Sequence, residues 1–120
     1  MTFFAIRGAT TCDVDSKEEI TKATQELVAA IMDKNNITQK QIVSILFTAT
    51  PDLVQEFPAT AARSLGLDDV PLMCAQELNI IGSLPRCIRV MMHIQANKQK
   101  SDIHHVFLGN ARALRKDLTD

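Results

Sequence analysis

The sequence predicts an α/β (α+β) chain, a mixed β-sheet served by one long helix and one short one. Three observations carry this. Short apolar stretches rich in β-branched residues, 43–49 and 87–94 foremost, read as strands. Only one long stretch, 16–35, repeats its apolar residues at helical spacing. The 120 residues, 46% hydrophobic and 22% charged, suffice for one core and are too apolar for wholesale disorder. The expectation is one domain over 1–120, with residues from about 112 onward mobile.

The first strand is read at 3–7, stopping at Gly8. Alternation puts Phe3, Ala5 and Arg7 on one face, Phe4 and Ile6 on the other. Ser16 followed by Glu19 is a capping box, and Ile20, Ala23, Leu27 and Ile31 form the apolar stripe of the helix it opens. Asn35-Asn36 closes that helix, and Thr38 with Gln41 suggests a second brief turn. The strand at 43–49 ends before Pro51, which cannot join a central ladder. Pro58 suits the first turn of a short helix and Gly66 its end, with Ala59, Ala62 and Leu65 as its apolar face. A short strand follows at 70–74, and Gly82, Ser83 and Pro85 interrupt the chain. In 87–94, Ile88, Val90, Met92 and Ile94 share one face; Cys87, Arg89, Met91 and His93 share the other. A polar loop at 96–102, a last strand at 104–108 and a charged turn and tail at 111–120 complete the chain.

Composition narrows the chemistry. A net charge of −1 lacks the basic excess of a general nucleic-acid binder, so no nucleic acid is expected. The longest apolar run, 27–32, is far too short to span a bilayer. Arg7 comes too soon for a signal peptide, so neither membrane nor export is expected, and the localisation expected is cytoplasmic. Cys12, Cys74 and Cys87 are too few and too scattered for a disulfide framework, and no C-x-x-C pair suggests zinc. The absence of Tyr and Trp excludes a tyrosyl acid and an indole stacking platform. No phosphate-binding glycine loop or nucleophile elbow is present. His93, His104 and His105 have no metal-ligand spacing and read as structural.

The anomaly is Arg89, a charge inside an apolar strand; Arg7 repeats the pattern. Each could pair with a core carboxylate or lie on an exposed face. Converging, they would suit a carboxylate ligand, which guanidinium binds in a two-pronged fashion. Glu77 reads as a loop acid and Arg63 as a solvent-facing helix charge.

Four segments taken together say more: Arg7-Gly8-Ala9-Thr10-Thr11; Ala49-Thr50-Pro51-Asp52-Leu53; Phe57-Pro58-Ala59 with Arg63 after it; and Cys74-Ala75-Gln76-Glu77 with Cys87-Ile88-Arg89-Val90-Met91-Met92. In this order and spacing, from Ile6 to Asp117, the chain resembles the monofunctional chorismate mutases of the Bacillus (AroH) class. That resemblance implies a homotrimeric pseudo-barrel with active sites between subunits, converting chorismate to prephenate on the route to Phe and Tyr, without cofactor or metal. It implies that Arg89 meets the breaking ether bond, Arg7 a carboxylate and Glu77 the ring hydroxyl, with Cys74 near that hydroxyl. It further implies substrate contacts from Phe57, Ala59 and Arg63 of the neighbouring subunit, and from Met73, Phe107, Leu114 and Arg115. Two positions depart from the family pattern: Phe107 stands where Tyr is usual, and Thr60 where Lys is common. The alternative is a trimeric small-molecule binding protein of similar shape, catalytically inactive or akin to the reactive-intermediate deaminases.

Overall fold

Five strands form one mixed sheet in the order β3-β2-β4-β1-β5: β1 is Thr2–Thr11, β2 Ile42–Ala49, β3 Leu72–Gln76, β4 Cys87–Ala96 and β5 Val106–Phe107. Helix α1 spans Lys17–Lys34 and α2 Pro58–Arg63. The structure is a computed structural model; it describes residues 1–118, with side chains described through Leu114.

Strand β4 lies at the centre, antiparallel to β1 on one side and β2 on the other. Its four apolar residues of one face, Ile88, Val90, Met92 and Ile94, are all buried. Ile6 from β1, Ile45 and Phe47 from β2, and Val106 from β5 share that face, and Leu27, Val28 and Ile31 of α1 pack upon it. Strands β2 and β3 are parallel, which demands a crossover connection; α2 supplies it and buries Ala59 and Ala62 in the same core. Leu65, expected on its apolar face, lies past the helix end and is exposed.

Helix α1 starts at the expected N-cap: the Ser16 hydroxyl accepts from the Glu19 amide at 3.1 Å, the N-cap half of the expected capping box. Its C-cap, Asn35, is almost wholly buried and fully engaged. Its side-chain amide donates to the Ile31 and His104 carbonyls at 2.9 Å each, and its oxygen accepts from the His104 amide at 2.7 Å. The helix end is thus tied to the chain entering β5. The Thr38–Gln41 turn also forms, as a capped 3-10 turn over Gln39–Gln41.

Several strand bounds differ from expectation. Strand β1 does not stop at Gly8 but continues to Thr11. At Gly8 helix α1 comes close to the sheet. A Cβ there would lie 2.7 Å from Ile31 Cδ1 and 3.1 Å from Leu27 Cδ1, so the glycine signals helix contact rather than a strand end. Strand β3 runs two residues later than the apolar stretch, and β5 is only two residues long because only Gly8 and Ala9 offer it a partner.

The entry to β4 is clamped. Arg86 has a left-handed backbone, φ +49°, unusual for a side chain that brings no glycine-like freedom. Its amide donates to Asp52 Oδ2 at 2.9 Å and its Nε to the Cys12 carbonyl at 3.0 Å. The Thr50 hydroxyl donates to Asp52 Oδ1 at 2.5 Å and accepts from the Cys87 amide at 2.9 Å. The Pro51-containing turn therefore holds the first residue of the central strand in register.

Candidate active site

Both helices lie on one side of the sheet. The other face carries Arg7 and Ala9 of β1, Leu46 and Thr48 of β2, Arg89 and Met91 of β4, and Phe107 of β5. One end of it is covered by a 3-10 segment, Gly109–Leu118, whose Ala111 is buried against Ala9 and Cys87, with Leu84, Phe107 and Leu114 packed around them. Beside this cover lies a recess of about 330 Å³ lined by Arg7, Leu46, Thr48, Glu77, Arg89, Met91, Phe107 and Leu114. Its size is at the lower end for small-molecule sites.

Arg89 stands in the recess between Ala9 of β1 and Thr48 of β2, its partners across the two ladders. The side chain is 38% exposed, yet its Nε is buried and makes no hydrogen bond. Glu77 Oε2 lies 3.5 Å from that nitrogen, an ion-pair contact whose geometry falls short of a hydrogen bond. Glu77, just beyond β3, is anchored by its amide to the Ala49 carbonyl at 2.9 Å, and Thr48 donates its hydroxyl to Oε2. Below Arg89, burial pushes the Cys87 thiol up; the guanidinium opposes this without overcoming it, so Cys87 stays a neutral thiol at pH 7. The Arg7 amide donates to His105 Nδ1 at 2.9 Å, so His105 serves the backbone that carries Arg7.

Within one chain the expected site residues divide. Arg7, Glu77, Arg89, Phe107 and Leu114 meet in the recess. Phe57 and Cys74 line a second one of about 410 Å³, together with the Pro51 turn. Cys74 is registered with Phe47 and packs toward the helix layer, so it does not join Glu77 in the first recess. Met73 is 65% exposed, Ala59 is buried in the core, Arg63 is exposed at the end of α2, and none of the three lines either recess. The side chain of Arg115 lies outside the described residues. Thr48, Leu46 and Met91 were missed. A hydroxyl between Phe47 and Ala49 in an apolar strand, two residues from Leu46 on the alternation, was the available signal for Thr48.

A small mixed α+β protein with two cations and one acid on the helix-free face of its sheet is built to hold a compact organic anion. The sequence pattern of the family described as "Chorismate mutase type I" matches residues 3–118, and the chain belongs to that family. It is 44% identical over 115 residues to the chorismate mutase AroH of Bacillus subtilis (strain 168), covering 95% of this chain and 91% of that protein. It is 41% identical over 114 residues to the chorismate mutase AroH of Thermus thermophilus, covering 94% and 93%. A solved chorismate mutase from Clostridium thermocellum superposes with a TM-score of 0.90 at 46% identity, over 92% of this chain and 98% of that one.

Proposed function

We propose that this chain rearranges chorismate to prephenate at the Arg89 recess, in a homotrimer whose neighbouring subunit completes each site. The observation that carries the reading is the state of Arg89. It is a cation in an apolar strand whose buried Nε has an acid nearby but no hydrogen bond. Such a group gains most from a ligand that brings negative charge to it.

The reaction breaks an ether C–O bond while a C–C bond forms in the same molecule, so no nucleophile or proton transfer is required. Two tasks remain for the protein. It must hold a flexible dianion in its compact reactive shape, and it must favour charge that grows on the ether oxygen only in the transition state. Arg7 binds a carboxylate, Glu77 accepts from the ring hydroxyl, Phe107 gives an apolar wall, and Arg89 meets the ether oxygen. Phe57 and Cys74 share the second recess, which opens apart from the first. In this reading they reach substrate from the neighbour, with Ala59, Arg63 and Met73, and Leu114 and Arg115 cover the site. The exposed apolar side chains Phe3, Phe57 and Met73 support burial by further copies. No helix among the described residues is long and apolar enough to cross a membrane.

The test is the loss of chorismate absorbance on mixing with purified protein, unchanged by EDTA. Arg89→Ala should lose about 3–4 kcal/mol of transition-state stabilisation, two to three decades in kcat, by analogy with removal of an oxyanion donor. Arg89→Lys should fail as well, since an ammonium cannot reproduce the planar fork. Near-normal turnover by Arg89→Ala would overturn the assignment.

A further inference from the structure

Nothing in the proposed reaction calls for a hydroxyl on β2, yet Thr48 places one in the lining of the recess. It is registered with Arg89 on β4 and with Ala75 on β3. Its hydroxyl donates to Glu77 Oε2, the same oxygen that lies 3.5 Å from Arg89 Nε. A carboxylate beside a guanidinium ordinarily closes into a two-pronged, hydrogen-bonded pair. Here it does not close: Nε is buried and unbonded. Because the Glu77 amide is held by the Ala49 carbonyl, the rotation of the side chain alone decides where the carboxylate sits. The Thr48 hydroxyl holds one oxygen of that carboxylate.

We propose that Thr48 is a positioning residue that holds Glu77 away from full pairing with Arg89. It keeps the guanidinium available to the ligand and leaves Glu77 Oε1 free to accept from it. This rests on the reading of Arg89 and Glu77 given above. Without the hydroxyl the carboxylate turns onto Arg89 and satisfies the buried nitrogen. The substrate must then break an ion pair to recruit Arg89. Recruitment is strongest in the transition state, where the ether oxygen carries its charge, so the loss falls mainly on kcat.

Thr48→Val keeps the shape and removes the donor. It should lower kcat about tenfold, the scale of one hydrogen bond to a charged group, while KM moves by less than about threefold. Thr48→Ser keeps the donor and should restore kcat to within about twofold of the unmodified protein. In a Glu77→Gln background, which cannot form the ion pair, Thr48→Val should cost less than about twofold. A merely structural role would cost the same in both backgrounds, and that result overturns the proposal. So does a Thr48→Val protein with unchanged kcat. Should Thr48→Val fail to fold, Thr48→Ala is measured instead with the same expected values. Absence of chorismate turnover in the unmodified protein overturns the functional reading and this proposal together. Turnover there with an unaffected Thr48 variant overturns this proposal alone.

Discussion

Phe107 shares the recess with Arg7 and Arg89 but brings no polar atom to it. At the position where the family resemblance implies a tyrosine, this chain has the ring without the hydroxyl. If the recess binds substrate as proposed, a hydroxyl restored there would meet a bound carboxylate and would bind substrate and transition state alike. Phe107→Tyr should therefore lower KM and leave kcat nearly unchanged, measured by steady-state kinetics on chorismate. A change confined to kcat would place Phe107 at the reacting bond instead. The arginines were legible at this scale because charge in an apolar strand is costly unless it is used. Glu77 was legible only through the family resemblance, since by its own chemistry a loop acid looks alike whether it faces solvent or a guanidinium. Its contact with Arg89 joins residues 12 apart whose strands are brought to opposite sides of β2 only by the sheet order.

Among the elements, α1 and β4 were read almost residue for residue, because each carries its own signal: a capping box with a helical stripe, and an alternation with four apolar residues on one face. Strand β1 was cut short because Gly8 reads locally as a break, whereas its role is to let Ile31 and Leu27 approach. The clamp at the start of β4 had no signal beyond the turn at Pro51. Burial works against the charged form of Asp52, but the Thr50 hydroxyl, the Arg86 amide and the Arg86 charge outweigh it and hold the carboxyl below its ordinary value of 3.8. A folded-state value below the unfolded one means stability that is present above pH 3.8 and lost as the pH falls through the lower folded value. Asp52→Asn should cost about 1 kcal/mol at pH 7, modest because the group is near solvent. It should also flatten the acid limb of stability, read by urea unfolding at pH 7 and at progressively lower pH. An acid limb as steep as in the unmodified protein would show that other carboxylates carry it.

At the scale of the whole molecule, the Arg89 recess and the Phe57 recess are lined by different residues of one chain, and the proposed trimer is what would join them. If each site joins the Arg89 recess of one chain to the Phe57 edge of its neighbour, two defective chains should rescue each other. Arg89→Ala and the double variant Phe57→Ala/Arg63→Ala, each nearly inactive alone, should regain about a quarter of full activity when unfolded, mixed in equal amounts and refolded together, because every mixed trimer contains one intact junction. No recovery, with light scattering showing a mass of three 13.3 kDa chains, would place each site within a single chain.

The sequence by itself determined the existence and order of the main strands and helices, the buried face of the central strand and the two arginines, because each depends on periodicity or on the local cost of charge. Only the tertiary structure decided which residues meet. The strand order sets Arg89 between Ala9 and Thr48, brings Glu77 to it across β2, and turns Cys74 toward the helix layer and away from the acid it was expected to join. Those neighbours are assigned by pairing between distant segments, and neither periodicity nor the chemistry of a single residue encodes which segment lies alongside.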